Sequence, residues 1–246
     1  MIRRIACLSA VLCGAGLFQA ATAKAEFLAV PNFSFENPVR DGGSVSLGGT
    51  TDSNNAIVGW DISGDTFSQG GVFASTSAQF ASLPDGNQFA YLASSFVGFT
   101  GNLSLTTSTN TLPSIVAGNA YTLTVAVGRR LDNTFPAGSA TIAILANGNV
   151  VKSTTVNADA IAMGTFTDVI ASLSAAETLA LGGQQLGIKI TQTNTTPDSG
   201  GHAQRNEAAF DNVRLFSDGA VPEPASIGVL ALGAGALLTK RRRRIG

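Results

Sequence analysis

Cysteine is almost missing from these 246 residues, and the two present, Cys7 and Cys13, both fall near the N-terminus. From Glu26 onward there is none, which excludes disulfides and thiolate chemistry from the body of the chain. Histidine is scarcer still. The single His202 stands in Ser199-Gly200-Gly201-His202-Ala203, a glycine-rich context that does not fix an imidazole. With no Gly-x-Ser-x-Gly, no His-Glu-x-x-His and no paired-cysteine spacing, the sequence gives no triad hydrolase and no zinc centre. Aromatic side chains with a polar handle are few: Trp60 is the only Trp, and Tyr91 and Tyr121 the only Tyr, against fourteen Phe. Phe fills cores, so this bias argues for packing before stacking.

Charge is sparse as well, at 13% of residues, and unevenly placed. Between Glu26 and Gly219 there are seven basic and fifteen acidic residues, a formal charge of −8 hidden by cations at the two ends. An acidic body of this kind excludes nucleic acid as the expected partner. Most of its carboxylates lie in turn contexts such as Asp41-Gly42 and Asp85-Gly86, where Asp is a turn former.

The N-terminal segment has the three parts of an export signal. Arg3 and Arg4 are basic, Ile5 to Phe18 is apolar, and Ala23-Lys24-Ala25 is a small-x-small cleavage site before Glu26; cleavage after Ala23 is the alternative. The expected organisation is a signal helix over 1–25, one domain over 26–219 and a distinct tail over 220–246. The expected handlers of the leader are the Sec translocon and signal peptidase.

The body repeats apolar residues at a period of two far more than at helical spacing, in short runs separated by Gly, Asn, Asp, Ser and Thr. That pattern predicts an all-β antiparallel sandwich of nine to eleven strands. The clearest strand is Ala120 to Arg129, with Tyr121, Leu123, Val125 and Val127 on one face. Asn147-Gly148 between two alternating runs predicts a tight hairpin, because both turn residues need positive φ. Phe27 to Glu36 is expected as a strand interrupted by Pro31, Asp41 to Asn55 as a loop, and Ala175 to Leu181 as a single helical turn.

The tail carries Val221, Pro222, Glu223 and Pro224, then fifteen uncharged residues from Ala225 to Thr239, then Lys240 and Arg241, Arg242, Arg243 and Arg244. The two prolines hold the first part extended. A helix of the second is about 22 Å long, short against a hydrocarbon core of about 30 Å. The cations act as a stop on the cytoplasmic side. This arrangement resembles the PEP-CTERM sorting signal of Gram-negative bacteria. The resemblance implies a short C-terminal transmembrane helix, an exosortase as partner, transient membrane attachment, and a final place at the cell surface or in the extracellular matrix.

A second resemblance lies in the body. Asn32-Phe33-Ser34-Phe35-Glu36, Gly118-Asn119-Ala120-Tyr121-Thr122-Leu123 and Phe210-Asp211-Asn212-Val213-Arg214-Leu215 together resemble the galactose-binding-like jelly rolls of carbohydrate-binding modules. That resemblance implies first and last strands close together, and a structural calcium ion held by Glu36 and Asp211, matching a hard cation that takes six to eight oxygens. The alternative is that these carboxylates cap turns or pair with Arg214 or Arg40. Carbohydrate contacts would fall to Trp60, Phe99 and Arg129, the alternatives being a packed Trp60 and a solvated Arg129. The functional expectation is an exported, non-enzymatic structural or adhesive protein whose partner is polysaccharide. The alternative is a secreted polysaccharide hydrolase using two carboxylates.

Overall fold

The structure is a computed structural model and describes residues 25–39, 43–48, 57–64, 69–93, 102–132, 136–193 and 206–219. Phe99, Arg40, His202, the leader, Val221 to Pro224 and Arg241 to Arg244 lie outside the described residues. Lys24–Ala220 forms one compact unit. Among the described residues no helix is long and apolar enough to cross a membrane.

Twelve strands are described: β1 Ala25–Leu28, β2 Gly43–Gly48, β3 Trp60–Ser63, β4 Gln69–Ala74, β5 Gln88–Ala93, β6 Asn102–Thr107, β7 Ala120–Arg129, β8 Ser139–Ala146, β9 Asn149–Asn157, β10 Thr165–Leu173, β11 Leu186–Thr193 and β12 Glu207–Asp218. One helical turn, α1, spans Ala175–Thr178 and carries a capping box between Ser174 and Glu177. The strands make two antiparallel sheets. The larger has the order β10-β7-β12-β5-β4-β2, with β1 also beside β12; the smaller has the order β3-β6-β11-β8-β9. The chain is thus the all-β, two-sheet antiparallel sandwich that the period of two predicts.

Alternation sets what lies between the sheets. On β7 the inward set is Tyr121, Leu123, Val125 and Val127; on β12 it is Phe210, Val213 and Leu215; on β11 it is Leu186, Ile188 and Ile190, all buried. These join Phe35, Trp60, Leu103, Leu105 and Ile142 in one core. Each such side chain contributes roughly 1.5–3 kcal/mol by leaving water. The Asn147-Gly148 turn has φ of 48° and 79°, as its chemistry requires.

Two segments differ from expectation for identifiable reasons. The first strand ends at Leu28, because the Asn32 side chain exchanges hydrogen bonds with the backbone of Asn37 and draws 31–37 into turns. Gly43–Gly48, expected as loop, pairs over its whole length with β4. Its Gly and Ser content favours turns, but the open edge of β4 supplies a ladder that outweighs that preference.

Candidate functional site

Strand β5, Gln-Phe-Ala-Tyr-Leu-Ala, is buried at all six positions. Ala90 and Leu92 point into the sandwich core. By alternation Phe89, Tyr91 and Ala93 point out of it, and they form a second, separate apolar cluster with Phe80 and Ala209, against which Phe73, Leu83 and Phe166 pack. A sheet covered on both faces needs something over its outer face. Here that cover is the β4–β5 connection, residues 75–87, which brings Phe80 and Leu83 onto the rings.

The register explains why the rings fit. Phe166 lies opposite Gly128 on β7, Gly128 opposite Ala209 on β12, Ala209 opposite Tyr91 on β5, and Tyr91 opposite Gly71 on β4. The adjacent small residues Gly128 and Ala209 leave a trough between the Phe166 and Tyr91 rings, with Gly71 beyond Tyr91. Gly128 is required there: a Cβ would meet the Phe166 ring at 2.5 Å. Phe80 lies in the trough, 4.3 Å between centroids from Phe166 and 5.1 Å, edge-on, from Phe89; Phe73 stacks on Phe89 at 5.5 Å.

One end of the trough is charged. Glu207 and Arg130 form an ion pair at 2.5 Å, with the Glu207 side chain 5% exposed. Arg130 also grips Asp132 through Nε and Nη2, both at 2.9 Å, and its guanidinium lies 4.6 Å from the centre of the Phe73 ring. Burial alone would lower the Arg130 pKa, but its bonds to Asp132 and Glu207 and the charges of both raise it above its ordinary value. Arg130 in turn holds the Asp132 carboxyl below the usual range, helped by a bond from Gln79 Nε2 at 2.9 Å.

At the other end stand the two carboxylates expected to bind calcium, and the structure brings them together. Glu36 Oε1 accepts from the backbone N–H groups of Asn87 and Gln88, both at 2.8 Å. Asp211 is wholly buried and accepts from the N–H of Asp85 at 3.1 Å and of Asn212 at 2.6 Å. Burial pushes the Asp211 carboxyl up to about 7, and the nearby charges of Asp85 and Glu36 add to this against the two hydrogen bonds. Asn212, at φ 48°, sits in a bulge of β12 where the pairing with β7 shifts between Asp211 and Arg214; Val213 N–H then donates to Phe33 O, tying the first segment to the last. Arg214 pairs with Asp168, so it does not neutralise Asp211. Among the described residues no group of three or more His, Cys, Asp or Glu side chains is placed to hold a metal ion.

Trp60 does not serve a ligand. It is 2% exposed, packs on Phe35 at 5.5 Å and donates through Nε1 to Pro31 O at 2.9 Å. Arg129 is half-buried and donates to Asp159 O. The expected sugar platform of Trp60, Phe99 and Arg129 is therefore corrected: of its two described members, one is core and the other is tied to the backbone.

A model of the HpiC1-like family, described as HpiC1 cyclase, matches residues 26–216. The chain belongs to the HpiC1-like family. Among curated proteins none matches. Solved structures similar to this HpiC1-like domain include the Stig cyclase Fisc from Fischerella sp. TAU in complex with (3Z)-3-(1-methyl-2-pyrrolidinylidene)-3H-indole, at 21% identity and TM-score 0.60, covering 80% of this chain and 100% of that one. A cyclase from Fischerella sp. TAU in complex with 4-(1H-indol-3-yl)butan-2-one is similar at 21% identity and TM-score 0.59, covering 79% and 98%. At this identity they show the shared fold. A carbohydrate-binding module of the β-sandwich superfamily reaches a TM-score of only 0.40 at 15% identity, covering 71% and 63%.

Membership overturns the expectation of a PEP-CTERM, exosortase-sorted surface protein with polysaccharide as partner, and that of a polysaccharide hydrolase. It also overturns the expectation of no enzyme, since the family is one of cyclases. The physical reason is the location of the signal. The tail pattern lies wholly beyond the domain, whereas the family model spans residues 26–216, the domain itself. Sequence reasoning missed Phe73, Phe80, Phe89, Phe166, Arg130, Asp132 and Glu207. One signal was available: apolar residues on both faces of Gln88 to Ala93.

Proposed function

We propose that this HpiC1-like domain is a cyclase that folds an aromatic, alkene-bearing substrate over the trough on the outer face of the larger sheet. The observation that carries this is the ring-lined trough itself, lying outside the sandwich core with the Glu207–Arg130 pair at its end. Ring closure of this kind is an isomerisation: one π bond gains a proton, a second π bond attacks the resulting cation, and a proton leaves. Positive charge develops on the substrate, and what lowers its energy is a set of ring faces and a buried carboxylate fixed before reaction. Phe89, Tyr91 and Phe166 supply the faces, and Glu207, held by Arg130, supplies the charge. Small residues at Gly128 and Ala209 leave room for a substrate held in its reactive conformer.

The test is binding and turnover. 4-(1H-Indol-3-yl)butan-2-one, the compound bound by the related cyclase, should bind with measurable heat, and Ala209→Leu, which fills the trough floor, should abolish that binding. An alkenyl indole should be converted to a ring-closed isomer of the same mass. Binding that survives Ala209→Leu would overturn the placement of the site.

A structural calcium ion at Glu36 and Asp211 is the second part of this reading. The donor chemistry fits: a buried carboxylate beside a second one, with no cationic side chain between them in the described contacts. Calcium would supply charge neutralisation, with backbone oxygens completing its shell. The pairing of β1 with β12 and the tie from Phe33 to Val213 support the finer assignment to a galactose-binding-like jelly roll. Residues 1–25 support export of the domain; N-terminal sequencing of the secreted form should begin at or near Glu26.

A further inference from the structure

The aromatic trough is occupied by a piece of the chain itself. Phe80 is not part of either sheet. It stands on the β4–β5 connection, yet is 2% exposed and packed between Phe166 and Phe89 over the small residues of the floor. A planar ring lying in an aromatic trough is the arrangement that a planar aromatic ligand would adopt there. The Phe80 cluster is separate from the core between the sheets.

The connection is held down by a polar latch. Gln79 Nε2 donates to Asp132 Oδ2, and its Oε1 accepts from Thr76 N–H at 2.7 Å and Thr76 Oγ1 at 2.6 Å. Its backbone O accepts from Leu131 N–H at 2.9 Å. Asp132 is in turn gripped by Arg130, which holds Glu207. Every step of this chain runs from the covering segment to the charged end of the trough.

We propose that the Phe80 ring holds the place of the substrate's aromatic ring, and that residues 75–83 are a gate latched by Gln79 on Asp132. The inference rests on the reading of the trough as the substrate site. Binding then requires the Phe80 ring to leave, and the affinity observed is the intrinsic affinity reduced by the fraction of molecules with the gate open. Release of the latch exposes the ring faces and leaves the Arg130–Glu207 pair in place.

Three proteins test this with 4-(1H-indol-3-yl)butan-2-one as probe, each first checked for folding by thermal melting. In the unaltered protein, stopped-flow binding rates should level off with rising probe concentration, because gate opening becomes limiting. Phe80→Ala, which leaves an apolar cavity of ring size, should bind the probe about tenfold or more tightly. Gln79→Ala, which keeps the ring and the backbone bond to Leu131 but removes the side-chain tie to Asp132, should raise the limiting rate about tenfold, as expected for a hydrogen bond to a charged group. Unchanged or weaker affinity in folded Phe80→Ala would overturn the proposal. If Phe80→Ala does not fold, an unchanged limiting rate in Gln79→Ala overturns it instead. Probe binding that is lost in Ala209→Leu but indifferent to Phe80 and Gln79 sinks the gate alone. No binding to any of these proteins, or binding that Ala209→Leu leaves intact, sinks both the gate and the site.

Discussion

The outer faces of the two sheets differ although both belong to one sandwich. On the smaller sheet hydroxyls meet across strands: Ser104 with Thr191 at 2.9 Å and Thr141 with Thr155 at 2.8 Å, with half-buried Lys189 in the same sheet. This is the ordinary half-solvated face of an antiparallel sheet. On the larger sheet the outer face carries five rings, a buried ion-pair network and a covering segment. Both sheets bury their inner faces, and the larger adds a second, separate apolar layer on its outer face.

Arg130→Ala should break this contrast most. It leaves Glu207 buried with its charge partner removed, and should destabilise the domain by about 3–5 kcal/mol in urea titration. A comparable change is expected from pH in metal-stripped protein. Asp211 is raised in the folded state to about 7 from an ordinary 3.8, so its contribution is full below pH 4 and is lost as pH rises toward 7. Melting temperature should fall over that window, and calcium should remove the fall by holding the ionised form. A flat profile with and without calcium would count against the Glu36 and Asp211 site.

Gly128→Ala sharpens the comparison within one face. Its methyl must push the Phe166 ring aside, costing about 1–3 kcal/mol and weakening indole binding together. The smallest effect belongs to the smaller sheet. Ser104→Ala should cost about 0.5–1.5 kcal/mol and leave binding of the indole probe unchanged. Equal losses of binding from Ser104→Ala and Gly128→Ala would erase the distinction between the faces.

Much of the sandwich was legible because alternation is a local property. β7 and the Asn147-Gly148 hairpin follow from residue order and turn chemistry alone. β2 was not legible, since Gly and Ser form a strand there only because β4 offers an open edge. The pairing of Glu36 with Asp211 came from motif resemblance, and the fold placed the two at one end of the trough. The trough was hidden for another reason. Phe73, Phe80, Tyr91, Arg130, Phe166 and Glu207 come from separate segments, and each alone reads as core filler or a solvated charge.

By itself the order of residues determined most of the strands and the polar turns, because these depend on neighbours within a few positions. Only the tertiary structure decided which outer face gathers the rings and the buried ion pair. The trough exists where register sets Gly128 beside Ala209 between the Phe166 and Tyr91 rings, and registers between distant strands are fixed by packing.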